Sequence, residues 1–237
     1  MSKISKISII IPVYNEKNTI QKCVDRVLSA NVLNFKKEII ISDNCSTDGT
    51  IDILKKFNDN QIKVLFRHKN EGKGANLINA IQYATGDIVI FQDADLEYSP
   101  EDYVDLLKPF IKYNADVVYG TRLTGAKEYR VLGLPNLVAN KLLTWIANIL
   151  FNTTFSDIET GYKLIKLDKL KDLKLQSNGF EIETEFTAKI SKNKELVIFE
   201  TPITIFSRKY NEGKKVRWWH FFTSLYSLIK WRLINND

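Results

Sequence analysis

The stretch that decides the fold is GDIVIFQDAD, residues 86–95. Ile88, Val89, Ile90 and Phe91 are apolar at consecutive positions. A strand with one wet face would alternate, so this one reads as buried on both faces, as in a parallel sheet covered on each side by helices. It stops at Asp93 and Asp95, with Glu97 and Glu101 close behind. Side chains two apart on extended backbone point the same way, so both aspartates can serve one site. Carboxylates crowded like this repel and resist desolvation, and a nearby cation makes them tolerable.

Outward from that strand, the first half of the chain alternates strand and helix patterns. Further strands are predicted at 6–13, 38–42, 62–67 and 115–120, with the central one at 87–92. Helical spacing runs through Ile20, Val24, Val27 and Leu28, with Asn18 as its cap, and through Ile51 and Leu54. Two more helices are predicted at 74–84 and 100–113. This rhythm gives an α/β fold with a mostly parallel sheet. Ligands of such sheets bind beyond the carboxyl ends of the strands, where YNE, DNCSTDGT, QDAD and GTR all fall. The second half adds an apolar helix at 134–151, a helix near 181–191, a strand at 195–206 and an aromatic, basic tail at 214–234.

The 237 residues suffice for one large domain or two small ones, with ample apolar content for a core. A net charge of +6 suits phosphorylated small molecules, anionic lipid or nucleic acid and excludes an acidic surface; no second feature supports nucleic acid, and none is expected as a partner. No run of 18 uncharged apolar residues is present, so no spanning helix is predicted. The N-terminal apolar run is β-branched and ends in Pro12, which reads as a first strand, not a signal peptide. Cys23 and Cys45 lack metal spacing and read as reduced thiols of an intracellular protein.

The polar clusters permit specific chemistry. Two carboxylates at a strand end suit Mg²⁺ or Mn²⁺ held jointly with phosphate oxygens. The segment DNCSTDGT (43–50) is a turn entering a helix, with Thr47 or Asp48 as cap, and leaves Asp43 to accept from a nucleobase. NEGKGAN (70–76) brings two glycines and Lys73 to a helix start, where backbone and ammonium can approach phosphate. Neither a Walker motif nor a dinucleotide fingerprint is present.

Taken in order and spacing, IIPVYNE, DNCSTDGT, EGKGAN, QDADLEY and GTR resemble the family 2 glycosyltransferases of the GT-A fold. SDIETGYKLIK, GFEIETEFTAKI and TPITIFSRKYNEGKKVRWWHFF resemble the branch containing the dolichyl-phosphate mannose and glucose synthases and their polyprenyl-phosphate relatives. The resemblance implies a catalytic domain over 1–210, with a nucleotide-sugar half to about 125 and an acceptor half over 126–210, and an amphipathic interfacial helix over 211–237. It implies that Pro12, Tyr14, Glu16 and Asp43 line the nucleotide pocket with Lys73 beside it, and that Asp93 and Asp95 hold the metal. Glu97, where several relatives have Gln, would be a third ligand. Arg122 would bind the acceptor phosphate, and Arg208 and Lys214 would close over donor or acceptor. Lys214 also stands where processive members carry Gln of Gln-x-x-Arg-Trp, which argues against polymer synthesis.

The implied reaction is inverting transfer of mannose or glucose from a GDP- or UDP-sugar to a polyprenyl phosphate. A phosphate acceptor is already anionic and needs desolvation and cationic positioning, whereas a hydroxyl needs a general base. For a sugar or protein hydroxyl, Asp157 or Glu159 is the candidate base. A membrane-surface nucleotide-binding module is the non-enzymatic alternative. The tail, with Trp218, Trp219 and Trp231 among basic residues, has the composition of a helix lying on the cytoplasmic face of a membrane, or of one packed on the domain's own core. Replacing Asp93 or Asp95 by Asn is expected to leave the fold unharmed, since it relieves repulsion.

Overall fold

The computed structural model describes residues 4–125, 127–128, 130, 133–207 and 219–234. In the first half β1 (Lys6–Val13), α1 (Ile20–Ser29), β2 (Lys36–Asp43), α2 (Thr50–Leu54) and β3 (Ile62–Phe66) follow one another. Then come α3 (Lys73–Ile81), β4 (Ile88–Phe91), α4 (Tyr103–Tyr113) and β5 (Val117–Thr121). The second half contains α5 (Leu134–Phe151), β6 (Lys163–Lys166), α6 (Leu167–Asp172), α7 (Ile182–Lys192), β7 (Ile198–Pro202) and α8 (His220–Leu233).

The strands form one sheet in the order β3-β2-β1-β4-β6-β5-β7. Every pairing is parallel except the two made by β6, which runs antiparallel between β4 and β5. Val13, Asp43 and Phe66 lie in register, so the carboxyl ends of β1, β2 and β3 are level. An antiparallel strand starts where its parallel neighbours finish. β6 therefore delivers the preceding segment, SDIETGY (156–162), to the edge carrying Asp93.

Ile7, Ile9, Ile10 and Ile11 of β1 are fully buried, alternating between two cores. One core packs β1, β2 and β4 against α1 and α4; the other packs the opposite face against α3, α5, α7 and α8. Each such aliphatic side chain contributes about 1.5–3 kcal/mol by leaving water. Strands from both sides of residue 125 share the sheet.

Three local expectations fail. Asn18 does not cap α1: position Thr19 precedes it, and the Thr19 hydroxyl donates to the Glu16 carboxylate at 2.7 Å instead. The strand predicted over 195–206 is confined to Ile198–Pro202. β6 was not signalled because its four residues, KLIK, carry a lysine at each end.

α8 is neither wholly interfacial nor wholly core. Ser224, Ser227, Leu228 and Trp231 are buried, while Trp219, Phe222, Tyr226, Ile229 and Leu233 form an exposed stripe. α5 carries a second stripe, Leu134, Val138, Leu142, Trp145 and Ile149. Trp218, Lys214 and Arg208 lie outside the described residues. Among the described residues no helix is long and apolar enough to cross a membrane.

Candidate active site

The acidic end of β4 does have its cation. Lys73 Nζ, at the start of α3, lies 2.9 Å from Asp93 Oδ1 and 3.1 Å from Glu183 Oε1. Glu183, in the first turn of α7, is also paired with Lys163 of β6, which is fully buried and donates to Thr160 O at 2.5 Å. Burial works against the Lys73 ammonium, but Asp93 and Glu183 outweigh it and hold its pKa above the ordinary value. The same balance, burial against Lys163 and Lys73, holds the Glu183 carboxyl below its own. The aspartates are thus not simply repelling each other, which corrects the expectation that Asp93→Asn is harmless to the fold.

Three aromatic residues and Gln92 fix this strand end. Tyr103 and Tyr162 each donate to Gln92 Oε1 at 2.6 Å, and Gln92 Nε2 donates to Asp93 O at 2.9 Å. Gly161 N donates to Tyr98 Oη at 2.7 Å. A Cβ on Gly161 would stand 2.6 Å from Asp93 Oδ2, so only glycine lets the β6 entry pass this close. Leu96 takes a left-handed φ of 66°, and Glu97 N donates to Asp95 Oδ1 at 3.1 Å.

On the nucleotide side, Asp43 is fully buried; Oδ2 accepts from Ser46 N at 3.0 Å, and Oδ1 has no hydrogen-bond partner among the described residues. A buried acceptor left like this costs about 1–3 kcal/mol, and one N–H donor would satisfy it. Pro12 is level with Ser42, placing Tyr14 and Glu16 just past the end of β1. That turn is stitched to the next: Asn15 N to Ser46 Oγ at 2.9 Å, Glu16 N to Thr50 Oγ1 at 2.9 Å, Lys17 N to Asp48 Oδ2 at 3.1 Å. Asp48 also accepts from Thr50 N at 3.0 Å, but the cap of α2 is Gly49, with a left-handed φ of 97°, and neither Thr47 nor Asp48 as expected.

The glycines of NEGKGAN are also required by packing. A Cβ on Gly72 would meet Asn178 O at 2.3 Å, and one on Gly74 would meet Ser177 O at 2.1 Å. Both are small so that the loop before α7 can dock on α3, an arrangement sealed by Ala75 N donating to Asn178 O at 3.1 Å. This docking sets Glu183 opposite Lys73.

On the other side, Arg122 follows β5 and is bidentate with Asp157: Nε to Oδ2 at 2.5 Å and Nη2 to Oδ1 at 2.7 Å. Nη1 faces Tyr98 Oη at 3.5 Å, and Asn140 of α5 donates to Asp157 Oδ1 at 2.9 Å. Burial would raise the Asp157 carboxyl, but Arg122 overcomes it and holds the pKa low. A fully buried carboxylate so committed is a poor base, and its geometry makes it the residue that orients Arg122. Glu159 is different. Burial pushes its carboxyl up to about 7, against the pull of Lys163, and its Oε1 is buried without a hydrogen-bond partner.

The donor set also decides how a metal could sit. Among the described residues no three Asp, Glu, His or Cys side chains gather closely enough to cage an ion. The Glu97 backbone N–H braces Asp95, donating to its Oδ1. The negative field is nonetheless shared: burial first, then Asp95, then Asp93 and Glu16 against the opposing Arg26, push the Cys23 thiol up to about 12. Two carboxylates in an anionic pocket, with coordination left for phosphate oxygens, fit Mg²⁺ or Mn²⁺.

Sequence reasoning missed Gln92, Tyr98, Lys163 and Glu183. Only Lys163 and Glu183 carry a signal, a charge in an apolar context: Lys163 opens a strand, and Glu183 sits in the first turn of a helix that packs on the core.

The family model for glycosyl transferase family 2 matches residues 8–173, and the chain belongs to that family. It is 28% identical to the UDP-N-acetylglucosamine–dolichyl-phosphate N-acetylglucosaminyltransferase of Methanococcus voltae, over 94% of each chain. It is 26% identical to the dolichol-phosphate mannosyltransferase of Pyrococcus furiosus, over 95% of this chain and 64% of that one. In fold it resembles glucosyl-3-phosphoglycerate synthase from Mycobacterium tuberculosis, solved with Mn²⁺, UDP-glucose and phosphoglyceric acid: TM-score 0.74, 19% identity, 98% of this chain and 82% of that one. The same enzyme has been solved with Mg²⁺ and UDP.

Proposed function

We propose that this protein transfers a sugar from a nucleoside diphosphate sugar to a polyprenyl phosphate, with inversion at the anomeric carbon. The observation that carries this reading is the commitment of Asp157 to Arg122. Asp157 is thereby spent on holding a fixed guanidinium and is not available as a base, which suits an acceptor that arrives as an anion. Asp43 supplies the unsatisfied acceptor for a base N–H, which both GDP and UDP possess. Asp93 and Asp95 would hold Mg²⁺ or Mn²⁺, which when bound offsets charge on the departing diphosphate. Tyr98 links the two sides, contacting Arg122 and the Gly161 backbone that lies against Asp93. Curated relatives named for N-acetylglucosamine and for mannose match to a similar degree, so the donor class is hexose or N-acetylhexosamine.

The stripes on α5 and α8 support a peripheral position on a membrane surface, where such an acceptor resides. Trp145, Trp219 and Tyr226 are exposed on them, and Lys141 and Arg232 are exposed on the same helices.

A second reading, transfer to a hydroxyl, is favoured by Glu159 alone, whose pKa of about 7 suits a general base. Wild type and Glu159→Gln, assayed with a polyprenyl phosphate and with sugar alcohol acceptors, separate the two. Sugar transfer to the phosphate acceptor that survives the substitution supports the first reading. Activity confined to hydroxyls and lost with Glu159 would replace it.

A further inference from the structure

Lys73 occupies a position that a phosphate-binding lysine does not need. Its ammonium bonds the carboxylate assigned to the metal, at 2.9 Å, and a second carboxylate at 3.1 Å. Glu183 cannot swing away to release it, because its other oxygen is engaged by the fully buried Lys163. Asp93 has little room to retreat, since its Oδ2 lies against the Gly161 backbone. A divalent ion arriving at Asp93 therefore meets a cation already bonded there. Like charges a few ångströms apart in a half-buried site repel by several kcal/mol before screening.

We propose that Lys73 is a placeholder cation: it neutralises Asp93 before the donor arrives, suppresses binding of a divalent metal on its own, and makes metal and nucleoside diphosphate bind together. The diphosphate brings the negative charge that both cations then share, so each ligand raises the affinity for the other. This rests on Asp93 and Asp95 being the metal site.

The test is Mn²⁺ binding to the folded protein, by calorimetry or by the paramagnetic signal of free Mn²⁺, alone and with UDP or GDP. Wild type should bind Mn²⁺ at least about fivefold more tightly with nucleotide than without it, the lower end of ordinary coupling. Lys73→Met should bind Mn²⁺ alone more tightly than wild type and lose most of that coupling. A merely structural lysine would give the opposite sign, so equal or weaker Mn²⁺ binding by Lys73→Met overturns the proposal. Should that variant not fold, Glu183→Gln carries the test. With one counter-ion fewer, Lys73 is left to Asp93 and Mn²⁺ alone should bind more weakly; unchanged or tighter binding overturns the proposal. Wild type that binds no Mn²⁺ with either nucleotide would overturn the metal site as well, whereas coupling indifferent to Lys73 overturns this inference alone.

Discussion

Asp93 and Asp95 look alike in the sequence and differ in the structure, so their substitutions should differ too. Asp95→Asn should abolish transfer and leave the melting temperature near that of wild type. Asp93→Asn should abolish transfer and also destabilise by about 1–3 kcal/mol, because Lys73 loses one of its two carboxylates. Melting curves read beside activity check this, and equal melting for the two variants would contradict it. Gly161→Ala should cut transfer sharply in a protein that still folds, since a methyl there collides with Asp93 Oδ2 and the Tyr98 ring; the loss should appear as failed Mn²⁺-dependent nucleotide binding. At this scale the sequence showed which residues are chemically unusual but not whom they face. Lys73 meets Glu183, Arg122 meets Asp157, and Gly72 meets Asn178 across long stretches of chain. No local spacing encodes those contacts.

Elements were far more legible. In the first half the β-branched runs became strands with boundaries within about two residues, since consecutive apolar positions leave a buried parallel strand few alternatives. β6 escaped because its lysines hide it, and with it the reason SDIETGY reaches the site. Near the far edge, Glu38 of β2 ties the start of β1 to the loop before β4 through Lys6, Ser8 and Thr85. Burial would raise its carboxyl, but these partners bring it down to about 2 from an ordinary 4.5. A depressed pKa stabilises the folded state above the ordinary value and loses that contribution as pH falls through the folded one. The melting difference between wild type and Glu38→Gln should therefore be largest near neutral pH and vanish on acidification towards about 2. In α8, Trp231→Ala should cost about 3–5 kcal/mol, as for buried aromatics elsewhere, since Trp231 is 2% exposed and lies under Lys189. Trp145→Ser with Tyr226→Ser should instead spare the melting temperature and lower co-sedimentation with anionic vesicles. A drop in melting temperature without a change in sedimentation would assign those stripes to the protein's own packing.

On the scale of the whole molecule, one reversed strand does most of the positioning. The parallel strands β1, β2 and β4 bring Glu16, Asp43, Asp93 and Asp95 to one edge, and β6 enters from that edge carrying Asp157, Glu159 and Gly161. Tyr98 joins the two groups, reaching both Gly161 and Arg122. The fold class was readable because it depends on the order of apolar runs. The division of labour within the site was not, because it depends on which way a four-residue strand points. The central claim is that this edge transfers sugar to a phosphate that is already charged. It is tested by incubating the protein with nucleoside diphosphate sugars, Mn²⁺ and a polyprenyl phosphate, and determining the linkage of the lipid product by NMR. A β-linked sugar phosphate that disappears when a chelator is added is the predicted result; glycosylated hydroxyl acceptors with no lipid-linked phosphate product would contradict it.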